Sequence, residues 1–138
     1  MFASGLSEIV LIVSDVRRAH DFYRDIVGLA PASDVGDDWA WFWTGAVDRS
    51  ARLALHRGTL LFEEHSPLPP GQRFGPLHYA FQVDREKLPA AVKHVQDRGI
   101  TVYGPVRQGW MQADSFYFYD LDGNLLEWWS PDSGRSVF

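Results

Sequence analysis

The chain's 138 residues suit one domain with a substantial core. A hydrophobic share of 46%, a charged share of 22% and a formal charge of -5 fit a soluble globular protein. They argue against a nucleic-acid or anionic-membrane surface, since either would want a basic patch. The absence of cysteine removes disulfides, thiolate metal sites and a cysteine nucleophile. The opening "MFASGLSEIV" lacks the basic stretch and apolar core of a secretory signal, and no 18 apolar residues run together. The expectation is a soluble cytoplasmic protein.

In chain order, the first element is the strand-like "EIVLIVSDV" (Glu8 to Val16). A helix follows at about 16–27, with Val16, Ala19, Phe22, Tyr23, Ile26 and Val27 at helical spacing, Ser14 or Asp15 as cap and Gly28 as stop. Strands are expected at about 31–35, 39–44 and 51–57. The second of these contains "WAWFW", where Trp39, Trp41 and Trp43 alternate either as one side of a half-buried strand or as an aromatic wall in a ligand cavity.

The stretch 58–76 is rich in Pro and Gly and reads as a linker. Within it "TLLFEE" could form a short strand, and "FEEH" (Glu63, Glu64, His65) is best explained as a charged surface loop. His20 and His94 sit among charged neighbours on helices and read as solvated.

After the linker the pattern starts again. "HYAFQVDRE" (His78 to Glu86) matches Glu8 to Val16 at an offset of about 70 residues. A helix at about 86–98 carries Leu88, Ala91, Val92 and Val95, has Pro89 in its first turn and stops at Gly99. Strands are expected at about 101–104, 115–120 and 125–130. Each half therefore reads β-α-β-β-β, an internal duplication. The expected fold class is α+β, with module one at about 5–57, the linker at 58–76, module two at about 77–130 and a tail at 131–138. Spacing sets the correspondence between halves. Gly99 to Glu127 is 28 residues, whereas Gly28 to Ala54 is 26 and Gly28 to Phe62 is 34, so Ala54 holds the place of Glu127.

Alternation along the last strands places Glu127 and Trp129 on one face, with Leu126 and Trp128 on the other. On the adjoining strand Ser115, Tyr117 and Tyr119 form the polar set. Arg52, Ala54 and His56 share a face in the first half, where His56 is a candidate general base or a hydrogen-bonded structural residue.

Three stretches resemble the vicinal oxygen chelate superfamily, which takes in glyoxalases, bleomycin-resistance proteins and extradiol dioxygenases. They are "LIVSDVRRAHDFYRDIVGL", "LHYAFQV" and "DSFYFYDLDGNLLEWW". The resemblance implies two tandem βαβββ modules whose curved mixed sheets form a cleft, usually completed in a homodimer. It also implies a divalent metal ion (Fe, Mn, Zn or Ni) and a small-molecule substrate or ligand. Carried over by position, the metal sites fall on Glu8, Ala54, His78 and Glu127. Ala54 cannot ligate, which leaves Glu8, His78 and Glu127, and Glu8 stands where the family most often has histidine. Tyr117 lies where relatives place a substrate-contacting tyrosine. Trp41, Trp110, Tyr119 and Trp129 complete the candidate substrate-binding set.

Two functions follow as expectations. One is a metalloenzyme (a lyase or isomerase, a dioxygenase or a thiol transferase) in which the ion chelates substrate oxygens. The other is a non-catalytic protein of the bleomycin-resistance type that sequesters an aromatic or cationic molecule in a dimer groove. Fosfomycin-resistance thiol transferases resemble the chain around "LHYAF" and "DSFYF", but their substrate is an anion, and no basic cluster follows Glu127 here.

Overall fold

A computed structural model describes residues 6–58, 78–110 and 112–132. The linker strand and the "FEEH" cluster lie outside these residues, as does the tail beyond Asp132. The chain divides into two compact units, residues 1–75 and 76–138.

Unit one contains β1 (Glu8–Val13), α1 (Val16–Phe22), β2 (Ala30–Pro31), β3 (Trp39–Trp43) and β4 (Arg52–Arg57). Its sheet runs β1-β4-β3-β2, with β1 parallel to β4 and the other pairs antiparallel. Asp15 caps α1 by accepting from the Arg18 amide at 3.0 Å, which satisfies one of the free N–H groups of the first turn. The helix loosens into a π-helical turn at Tyr23–Val27, where a continuous α-helix is expected, and stops at Gly28 with φ 83°. That left-handed conformation suits glycine because it has no Cβ to clash.

One face of this sheet is apolar: Leu11 and Val13, Leu53 and Leu55, and Ala40 with Phe42 are all buried. The buried side of α1 packs there, with His20 tilted against Phe42 at 5.0 Å and Tyr23 at 6.2 Å. His20 is thus buried rather than solvated, because it follows Val16 and Ala19 on the stripe that faces the sheet. The strand expected at 31–35 shrinks to Ala30–Pro31, since the chain turns at once through a Gly36–Trp39 backbone bond.

Unit two repeats the plan: β5 (His78–Gln82), α2 (Leu88–Gln96), β6 (Tyr103–Gln108), β7 (Ala113–Tyr119) and β8 (Leu125–Pro131), in the order β5-β8-β7-β6. β6 runs through 108 instead of ending at 104. Gly104 and Pro105 lie inside it, at a register irregularity between Tyr103 and Val106. Gly104 has φ 132°, and a Cβ there would lie 2.8 Å from the Ser115 carbonyl oxygen, so no other residue fits without displacement. Leu126, Phe118 and Trp128 are buried on one face, Phe118 edge-on to Trp128 at 5.1 Å.

The duplication extends to the register. In unit one Val10 pairs with Ala54 and Trp41 with Ala54. In unit two Ala80 pairs with Glu127 and Tyr117 with Glu127. Ala54 therefore occupies in its sheet the place that Glu127 occupies in the other.

Candidate functional site

Glu127 sits on β8, between β5 and β7, and is only 5% exposed. The turn that delivers it is built by Asp120, whose carboxylate accepts from the amides of Asp122 (2.9 Å) and Asn124 (2.8 Å) and from Asn124 Nδ2 (2.8 Å). Burying a carboxylate costs several kcal/mol (roughly) unless partners compensate. Both flanking strands supply one. The Tyr117 hydroxyl donates to Glu127 Oε1 at 3.1 Å, and His78 Nε2 stands 3.0 Å from Oε2. The His78 and Tyr117 rings meet edge-on at 6.3 Å. Burial raises the Tyr117 phenol above its ordinary pKa and the neighbouring Glu127 charge raises it further, so the phenol stays a proton donor. Gln108 Nε2 in turn donates to Tyr117 Oη at 3.1 Å.

The equivalent row in unit one is closed differently. Ala54 leaves only a methyl group at the central position. Across it the indole of Trp41 reaches β1 and donates from Nε1 to Glu8 Oε1 at 2.9 Å. Arg52 Nη2 lies 3.5 Å from the same oxygen. Further along this face Trp39 stacks on Trp41 (5.1 Å, 5°) and on His56 (3.9 Å, 16°). His56 Nδ1 lies 2.9 Å from the Asp38 carbonyl. A carbonyl oxygen only accepts, so Nδ1 carries the proton in that contact and Nε2 is the free acceptor of the neutral ring.

Among the remaining candidates, Trp129 is buried, Tyr119 is half exposed with its ring edge-on to Tyr103, and Trp110 is 82% exposed in the turn after β6. A groove of about 460 Å³ lies between α2 and the β6–β7 side of its sheet, lined by Leu88, Val92, Pro105 and Phe116 among others. It opens on the Phe116 face, opposite the face that carries Glu127 and Tyr117. Gln108 was not among the expected site residues, because the strand that carries it was expected to end at 104. Strand alternation carried past Pro105 is the signal that could have found it.

The donor chemistry suits a divalent ion. An imidazole nitrogen and a carboxylate oxygen are its ordinary protein ligands. The two atoms are 3.0 Å apart, and cis donors each about 2.1 Å from one ion stand about 3 Å apart. Among the described residues no group of three His, Asp or Glu side chains is placed to hold an ion, and Glu8 is engaged by Trp41 and Arg52.

Comparison with known proteins matches residues 5–128 to the family model described as the Glyoxalase/Bleomycin resistance protein/Dioxygenase superfamily. The glutathione transferase FosA of Serratia marcescens is 29% identical over 123 residues, covering 89% of this chain and 78% of that protein. Among solved structures, the V. cholerae integron cassette protein VCH_CASS1 is 31% identical with a TM-score of 0.71, covering 96% of this chain and 98% of that one. The Listeria monocytogenes fosfomycin resistance protein FosX, in complex with Mn(II) and sulfate, shares the fold at 22% identity, with a TM-score of 0.69 and coverage of 96% and 94%. With its two mixed sheets in repeated order and this match across both units, the chain belongs to the Glyoxalase/Bleomycin resistance protein/Dioxygenase superfamily.

Proposed function

We propose that the chain is a metal-dependent enzyme acting on a small, oxygen-bearing molecule, with His78 and Glu127 as ligands of a divalent ion. The observation that carries this reading is the buried carboxylate of Glu127 with His78 Nε2 3.0 Å from its Oε2. Such an ion, when bound, polarises a substrate oxygen and offsets negative charge that develops on it.

The side chains have separable tasks. Tyr117 holds Glu127 through its hydroxyl and is the substrate-contacting tyrosine of this reading. His56, with Nδ1 committed to a backbone carbonyl, presents Nε2 as a base. Trp41, Trp110, Tyr119 and Trp129 are the apolar contacts for substrate, and the working unit is a homodimer. The activities to assay first are glutathione transfer and fosfomycin modification, because relatives at 25–29% identity carry the names glutathione transferase FosA and fosfomycin resistance protein FosX; the missing basic cluster after Glu127 makes an uncharged acceptor the second choice.

The deciding experiment measures metal content of protein purified without an affinity tag, alongside His78→Ala and Glu127→Ala. Stoichiometric Mn²⁺, Fe²⁺, Zn²⁺ or Ni²⁺ that is lost in both variants supports the reading. A folded protein that refuses all four ions overturns it.

A second reading rests on the Trp41–Trp39–His56 stack, whose half-buried rings suit a flat aromatic or cationic ligand held without chemistry. Tryptophan quenching by such ligands in metal-free protein, lost in Trp39→Ala, is its test.

A further inference from the structure

We propose that Gln108 is a positioning residue that fixes the Tyr117 hydroxyl as a donor to Glu127 Oε1 and so leaves Oε2 as the oxygen beside His78. The inference builds on the metal-site reading above and names a residue that reading does not use.

One proton and three oxygens decide the arrangement. The Tyr117 hydroxyl has a single hydrogen to give and can accept as well. Its neighbours are Glu127 Oε1 at 3.1 Å and the Gln108 amide at 3.1 Å. If the amide presented its oxygen, that oxygen and the carboxylate would compete for the same proton. The buried carboxylate would then stand to lose one of its two compensating contacts. With Nε2 presented, both contacts form at once: N–H to the phenol oxygen and O–H to the carboxylate, the second strengthened by the charge it meets. Each donation polarises the next.

Local structure places Gln108 for this role. It lies on β6 opposite Ala113, and β7 carries Ala113, Ser115 and Tyr117 on one face. Ala113 is small and buried, leaving room for the amide to run along the face as far as Tyr117. The buried Ser115 hydroxyl, on the same face two residues earlier, is the other side-chain group that acts on the phenol oxygen, and the test below separates it from Gln108. The consequence for Glu127 is selective. Oε1 is occupied by a neutral donor, whereas Oε2 faces an imidazole nitrogen that can share an ion with it. Partners of this kind orient ligands and tune their basicity.

Two measurements test the proposal. In metal-free protein with ring-labelled tyrosine, the infrared C–O stretch of Tyr117, assigned by difference against Tyr117→Phe, reports whether the phenol accepts as well as donates. Gln108→Leu, made in a Ser115→Ala background and compared with Ser115→Ala alone, should shift this band to that of a phenol that only donates. Gln108→Glu, which offers acceptors alone, should shift it again by competing for the proton. The second measurement is Mn²⁺ affinity by calorimetry. Tyr117→Phe should weaken binding about tenfold to a hundredfold, and Gln108→Leu roughly threefold to tenfold. Gln108→Leu should cost nothing further in the Tyr117→Phe background.

An infrared band unmoved by either Gln108 variant overturns the proposal. So does a Gln108→Leu effect on Mn²⁺ that is equally large with and without the phenol. A wild-type protein that binds no Mn²⁺ or other ion overturns the metal reading instead, and the infrared experiment still decides the role of Gln108.

Discussion

Replacing Glu127 with glutamine should change the sign of its effect on stability when metal is added. The side chain keeps its shape, and the amide oxygen still accepts from the Tyr117 hydroxyl that now lies 3.1 Å from Oε1. The amide nitrogen faces His78 Nε2, which is 3.0 Å from Oε2. What disappears is a charge on a side chain only 7% exposed. Two partners offset part of its desolvation, and replacing a buried ionic contact by a well-packed neutral one is neutral or stabilising by about 1–4 kcal/mol. The Tyr117 contact survives the exchange, so the lower part of that range applies, about 1 kcal/mol in favour of Glu127→Gln without metal. With Mn²⁺ at a hundred times its dissociation constant, wild type should gain about 2.7 kcal/mol. The variant, deprived of an anionic ligand, should gain little. Urea denaturation with chelator and with saturating Mn²⁺, both at pH 8, therefore yields two curves that exchange order. A variant less stable than wild type under both conditions would refute the reasoning, since the carboxylate would then be stabilising without an ion.

Other consequences are open to the same kind of measurement. Asp120→Ala removes three hydrogen bonds to a largely buried carboxylate and orphans two turn amides, so urea unfolding should show a loss of about 3–5 kcal/mol. Asp120→Asn, which keeps one acceptor oxygen, should lose only about 1–2 kcal/mol; equal losses in both would refute the charge-assisted account. Tyr79 has its phenol raised by burial and by the Asp120 charge. Its contribution to stability is therefore full below about pH 10 and lost as pH rises through the higher folded value. Denaturation followed from pH 9 to 11 should decline less steeply in Tyr79→Phe. Gly104→Ala should cost at least about 2 kcal/mol, because it combines positive φ with a Cβ 2.8 Å from a carbonyl oxygen; a loss under about 0.5 kcal/mol by urea unfolding would show that the strand yields there.

The repeat was legible because it rests on patterns that the chain states locally. Alternating apolar residues, a capping Asp15 and glycine stops at 28 and 99 recur in the observed elements. Counting from those glycines aligned Ala54 with Glu127, as the two sheet registers do. Tertiary choices were less legible. His20 reads as solvated beside Arg and Asp, yet Phe42, 22 residues away in sequence, covers it. Gly104 and Pro105 read as the end of a strand, whereas the sheet absorbs them as an irregularity and continues to Gln108. The partners of Glu127 depend on which strands flank β8, and that pairing lies beyond any local window. Glu8 is a candidate ligand only through the family resemblance, and its contacts with Trp41 and Arg52 come from the pairing order of unit one.

In each sheet the row, Trp41–Ala54–Glu8 or Tyr117–Glu127–His78, lies on the face opposite the packed apolar side chains. The apolar face beneath the first row, with Leu11, Phe42, Leu53 and Leu55 all buried, is indifferent to whether the row above holds an indole or a carboxylate. The two rows thus fill equivalent register positions with different side chains, and Ala54, fully buried at the centre of the first, leaves little room there for a longer one.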